Sequence, residues 1–149
     1  EGTGGGTQLS GDDTGVSFCE IELTMPDTGE TSLAALIAAL EELGAPKGST
    51  LLVGDSSDET PFGTHEGLAL FLNGTGLPDE VYASCDINHV IAELDRLMGD
   101  DGRLRSFWEG ATDTVLYCYG PSFAAMRAAI EPLLAGYPLC QKARVEQIA

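Results

Sequence analysis

Apolar positions recur along this chain with two different periods. In INHVIAELDRLM (87–98), Ile87, Val90, Ile91, Leu94 and Leu97 line one stripe of an amphipathic helix, and Asp86 stands where its N-cap belongs. Behind Ser122, a second N-cap, Phe123, Met126, Ile130 and Leu133 or Leu134 repeat that spacing. Pro132 interrupts the second stripe and is expected to kink or loosen it, and Gly136 and Pro138 mark its end. Shorter runs read as strands: GLALFLNG (67–74), two aromatic and β-branched segments at 102–109 and 113–120 joined by a Gly-containing turn, and the alternating KARVEQI (142–148).

The order over residues 67–149 is therefore β-α-β-β-α-β. This is the split βαβ, or ferredoxin-like, layout, an antiparallel four-stranded sheet with two helices on one face. Part of it is spelled twice. SLAALIAALEEL (32–43) matches SFAAMRAAIEPL (122–133) at an offset of 90, sharing Ser32/Ser122, Ala38/Ala128, Glu41/Glu131 and Leu43/Leu133. Upstream, at an offset of 99, Gly11, Val16, Phe18 and Cys19 fall on Gly110, Val115, Tyr117 and Cys118; downstream, at an offset of 92, Gly44, Pro46 and Val53 fall on Gly136, Pro138 and Val145. Three blocks in one order indicate an internal duplication. The fold class expected is α+β, built of tandem ferredoxin-like (βαββαβ) units, the first of which lacks its opening strand and helix. The expected division is a partial first repeat (1–54, ββαβ), a polar Gly-rich linker (55–66) and a second repeat (67–149). An equivalent of the absent strand and helix is expected before Glu1.

Alternation assigns faces within the repeated strands. Cys19, Ile21 and Leu23 share a parity expected to face the helices, with Val16, Phe18, Glu20 and Glu22 on the other side. In the second copy Leu116 and Cys118 are expected inside, and Val115, Tyr117 and Tyr119 on the open face of the sheet. Cys19 and Cys118 are accordingly expected to be buried packing residues. Which of Phe107 and Trp108 shares the open face depends on the turn register.

Charge changes this picture from architecture to partners. The chain carries 24 acidic and 7 basic residues, a net charge of −17, and the imbalance is local. Residues 1–95 hold one base, Lys47, while the acids and bases of residues 96–149 balance. Such a field repels nucleic acid and anionic membranes and attracts a basic protein. Open-face aromatics stack bases in RNA-recognition domains, but here the charge opposes it, and they are assigned instead to contact between the copies or with a protein. No apolar run of about 18 residues offers a membrane span. The four cysteines lack paired metal spacing and read as small hydrophobes of a reducing, cytoplasmic setting.

Candidate chemistry adds little. EGTGGGT (1–7) has no Walker lysine and no G-x-G-x-x-G order, and reads as a turn or terminus ahead of a hairpin. Asp55, Asp58 and Glu59 of DSSDET could offer oxygen ligands but lack the EF-hand order, so a solvated linker is expected. His65 with Glu66, and Cys85 with His89 at helical spacing, have no third partner in sequence reach. No cofactor, metal or catalytic set is expected. The segment LPDEVYASCDIN (77–88) has no counterpart in the first copy, and is the expected functional edge.

These features point to an acidic, non-enzymatic protein-binding module. In size, charge and α+β layout it resembles the small acidic immunity proteins of bacteria, and the resemblance implies inhibition of a basic toxin or enzyme by an acidic surface. Asp12, Asp13, Glu20, Glu22, Asp79 and Glu80 are the expected capture residues, with Tyr82 supplying a desolvated contact. A homodimer through the sheet surface is a further expectation. The alternative is a small-molecule sensor with a ligand cleft between the two repeats, an inference from fold analogy.

Overall fold

The strand LALFL carries apolar residues on both parities, which suits only a position covered on both faces. In the computed structural model, which describes residues 2–11 and 15–149, it is a central strand. The elements run β1 (Gly2–Leu9), β2 (Val16–Leu23), α1 (Glu30–Glu42), β3 (Ser49–Leu51), β4 (Thr60–Phe62), β5 (Glu66–Asn73), α2 (Asp79–Ser84), α3 (Ile87–Met98), β6 (Arg103–Glu109), β7 (Asp113–Gly120), α4 (Phe123–Gly136) and β8 (Arg144–Gln147). The chain is thus mixed α+β. Its largest sheet has the order β6-β7-β5-β8, antiparallel throughout.

One face of this sheet makes the main core. Leu68, Leu70 and Leu72 of β5 and Leu116 and Cys118 of β7 pack under Val90, Leu94 and Met98 of α3 and Met126, Ile130 and Leu133 of α4. Each fully buried leucine here contributes about 1.5–3 kcal/mol. The caps expected for both helices are present: Asp86 Oδ1 accepts from the Asn88 amide at 2.8 Å, and Ser122 Oγ accepts from the Ala125 amide at 3.3 Å. Glu66, at the start of β5, satisfies another free donor of α4 by accepting from the Phe123 amide at 2.7 Å. The α4 helix runs through Pro132 to Gly136. Pro132 and Ala128, whose carbonyl loses its donor, are both exposed, so water can take the place of the missing N–H.

The opposite face carries a small second cluster of Ala69, Val115 and Tyr117, flanked by Phe71, Trp108 and Tyr119. Trp108, not the exposed Phe107, therefore shares the open face. Val16 of β2 packs on this cluster, and its amide donates to the Tyr117 hydroxyl at 3.4 Å. The expected contact between the two halves is present here, though narrow.

The first half departs from expectation in three respects. Its hairpin, β1 with β2, is a sheet of its own, and no residue of α1 is buried. Cys19, Ile21 and Leu23 consequently do not face a helical layer: Cys19 and Leu23 are exposed and Ile21 is 76% exposed. Alternation marks two faces of a strand, but a face becomes an interior only when another layer covers it. The glycine-rich stretch is not a turn but β1, paired antiparallel with β2 from Gly2 opposite Leu23 to Leu9 opposite Val16, with register shifts between Gly2 and Gly4 and between Gln8 and Leu9. Backbone pairing needs no side chain, and β2 fills the space: a Cβ at Gly5 would meet the Glu20 carbonyl oxygen at 2.7 Å. Finally, β3 pairs with β4, inside the expected linker, rather than with a strand of its own copy. The Gly63 backbone, at φ 101°, passes so close to Pro46 that a Cβ there would lie 1.9 Å from its carbonyl oxygen. The sequence repeat is thus not accompanied by two equal packed sheets.

Candidate functional site

On β2, Glu20 stands opposite Gly6 and Glu22 opposite Gly4. With no side chains on those glycines, the carboxylates lie across the partner strand; a Cβ at Gly4 would come within 2.6 Å of Glu22 Oε2, and one at Gly6 within 3.3 Å of Glu20 Oε1. Neither acid forms an ion pair among the described residues. On their face of the strand stands Phe18, 56% exposed, and on the other face the still more exposed Ile21. The result is a strand that presents carboxylates and large apolar groups together, on a stretch of chain with no Lys or Arg before Lys47. Asp12 and Asp13, in the connection between β1 and β2, lie outside the described residues.

Asp79, Glu80 and Tyr82 are placed elsewhere. All three belong to α2, a single short helix that the sequence does not announce because six residues are too few to show a period. Asp79 and Glu80 are exposed at its start. Val81 and Tyr82 pack on the helix-covered core, whereas Val16 packs on the other face of the same sheet. α2, with Asp79 and Glu80, therefore joins the helix-covered side of the four-stranded sheet, whereas β2 joins its other face through Val16. The Tyr82 hydroxyl is also occupied within the chain, accepting from the Leu77 amide at 3.0 Å and donating to the Asn73 carbonyl at 3.1 Å.

Beside α2 an open groove of about 330 Å³ is lined by Leu72, Asn73, Tyr82, Cys85, Asp86 and Leu139, among others. Every lining residue belongs to the second half, so this groove is not a cleft between the repeats. Next in sequence to its lining residue Leu139, the Cys140 thiol is pushed up to about 11 by burial, with neighbouring Cys85 adding to it. Burial likewise pushes Cys118 up to about 12, with the Asp95 charge adding to it, and Cys19 is the exposed member of the matched pair. All four cysteines are free.

The two paired candidates from the sequence resolve into structural roles. Glu66 binds Lys47 Nζ at 2.7 Å, and the Lys47 hydrogen bond, followed by that of the Phe123 amide, holds the carboxyl below its ordinary 4.5. His89 packs against the Tyr137 ring with centroids 4.7 Å apart, while the Tyr137 hydroxyl accepts from the Asp86 amide at 2.9 Å. Among the described residues no cluster of three His, Cys, Asp or Glu could hold a metal ion. No helix of the described residues is long and apolar enough to cross a membrane.

No protein-family model, no curated protein and no solved structure matches this chain.

Proposed function

We propose that this chain is an acidic, non-enzymatic protein-binding module, of the immunity type, that engages a basic toxin or enzyme through its first half. The observation that carries the reading is the β1–β2 hairpin, where Glu20 and Glu22 have no ion-pair partner among the described residues and share their strand with exposed Phe18 and Ile21. Unpaired carboxylates speed encounter with a cationic surface, and neighbouring aromatic and aliphatic groups supply area that becomes dry on contact. Asp12 and Asp13 extend the same acidic stretch along the chain. Asp79, Glu80 and Tyr82 form a separate, second candidate contact, because α2 joins the side of the sheet opposite to the one that β2 joins. We read the architecture as a duplicated ferredoxin-like protein, with a partial first repeat (1–54), a linker (55–66) and a full second repeat (67–149). Supporting this are the three matched sequence blocks and the order β6-β7-β5-β8 in the second half. Cytoplasmic localisation fits four free thiols.

The test is affinity capture of the tagged chain from its native lysate at low and then raised salt, beside a variant carrying Glu20→Lys and Glu22→Lys. We expect one basic protein in stoichiometric yield, lost both on raising the salt and on charge reversal. Recovery of the chain alone, or of a partner indifferent to both changes, contradicts the reading.

A further inference from the structure

The groove beside α2 lies wholly within the second half, where the end of β5, the start of β7, α2 and Leu139 meet. Its volume of about 330 Å³ is near the lower end of what binding sites offer, about 300–1,000 Å³, and suits one side chain better than a large ligand. Leu72, Ile87, Leu139 and Tyr82 give it apolar walls, and Asp86 is the one charged residue that lines it. The cap that Asp86 makes on α3 uses one of its oxygens: Oδ1 accepts from the Asn88 amide at 2.8 Å and from Asn88 Nδ2 at 2.9 Å. No cation pairs with Asp86 among the described residues. Lys142, which reaches the turn after β5, is occupied by the Gly76 carbonyl at 2.6 Å. Thr114 brings a hydroxyl to the same groove, and Asp79 and Glu80 add exposed charge in the first turn of α2.

We infer that this groove receives one arginine side chain of the basic partner, with its methylenes against Leu72, Ile87 and Leu139 and its guanidinium on Asp86. The inference rests on the proposed function and gives the second contact a specific occupant. Apolar walls with a single carboxylate suit a long side chain that has an apolar stem and a cationic head. Of the two such side chains, arginine fits better, because its flat fork of donors serves a carboxylate and a hydroxyl at once and stacks on an aromatic ring. That ring is held in advance: the Tyr82 hydroxyl is bonded to the Leu77 amide and the Asn73 carbonyl, so little order is lost when the groove fills. An acidic side chain would meet Asp86 as a like charge, and a neutral one would leave it unpaired.

NMR titration of the full chain, followed at each backbone amide, tests this. The probe is N-acetyl-arginine methylamide; its control is the citrulline analogue, which keeps the stem and replaces the guanidinium by a neutral urea. We expect the arginine probe to shift the amides of Gly74, Cys85, Asp86, Ile87 and Thr114 saturably, and the control to bind more weakly by about threefold or more. Asp86→Asn removes the charge but keeps the helix cap, since asparagine and aspartate serve equally there, and is expected to weaken the arginine probe by a similar factor. Equal binding of the two probes, indifference to Asp86→Asn, shifts that do not saturate, or shifts centred on β2 overturn the inference. Self-association in sedimentation that Asp86→Asn abolishes would assign the arginine to a second copy and overturn it too. None of these outcomes touches Glu20 or Glu22, so the hairpin reading stands or falls on the capture experiment. Saturable, charge-selective binding in the groove with no basic protein captured would contradict the proposed function, and with it the assignment of the arginine to a partner.

Discussion

Phe18 and Tyr117, and Cys19 and Cys118, are matched positions of one repeat placed in opposite environments. Phe18 and Cys19 are exposed on a two-stranded hairpin; Tyr117 and Cys118 are buried in a four-stranded sheet. The local pattern is nearly the same, so local pattern does not explain the difference. Their neighbours do: β5 lies beside β7, α3 and α4 cover the Cys118 face, Val16, Phe71 and Trp108 cover the Tyr117 face, and among the described residues nothing equivalent covers β2. An isolated two-stranded hairpin is marginal in water, and this one is tethered to the four-stranded sheet through Val16 on Tyr117, while Lys47 on Glu66 ties the chain after α1 to the same sheet. The second half therefore supplies the stability, and the first half supplies unused surface.

The contrast is broken most severely by removing core volume. Leu70→Ala, at the centre of β5 and fully buried, is expected to cost about 2–5 kcal/mol in urea unfolding. Ile21→Ala, a comparable change on the open hairpin, is expected to stay within about 0.5 kcal/mol. Similar costs for the two would mean that the hairpin is packed after all.

Next in size is the cysteine pair. Cys118→Ser places a hydroxyl among Leu68, Leu116 and Met126 and is expected to cost about 1–3 kcal/mol, against almost nothing for Cys19→Ser. Alkylation of the native chain at mildly alkaline pH sharpens the same contrast. Cys19 reacts promptly, while Cys118, pushed up to about 12, and Cys140, pushed up to about 11, react only as the chain opens.

The smallest effect concerns the tether. Because Glu66 is held below its ordinary 4.5 in the folded chain, the unfolded chain binds more protons there as the pH falls. Its stabilising contribution is complete above that value and is lost as the pH drops through the lowered folded value. Comparing acid unfolding of the native chain with Glu66→Gln should show a difference at neutral pH that closes on acidification. A gap that persisted at low pH would assign the effect to something other than this carboxylate.

Much of the second half was legible in the sequence because each of its elements repeats its period over a length that a single face can use. Val90 and Leu94 of the expected stripe, the caps Asp86 and Ser122, and the hairpin on either side of Gly110 all read directly, whereas the last buried position of α3 is Met98 rather than the expected Leu97. The misses have separate physical causes. β1 hides among glycines, which have little strand propensity, and β4 is three residues long with Pro61 at its centre. The inward assignment of Cys19, Ile21 and Leu23 presumed a layer that the first half does not contain. For the candidate site, composition pointed to the acids, but nothing in their spacing could place Asp79 and Glu80 on one side of the sheet and β2 on the other. That separation follows from which face α2 joins, a long-range property of the fold.

One half of this chain is a packed core, and the other is, among the described residues, a hairpin with no layer over it. Native-state hydrogen exchange of the free chain tests it most directly, with β2 and β7 compared residue by residue across the matched positions. We expect β7 amides to exchange only through global opening, and β2 amides to exchange through local opening at rates faster by about two orders of magnitude or more. Protection of β2 equal to that of β7 would contradict the account.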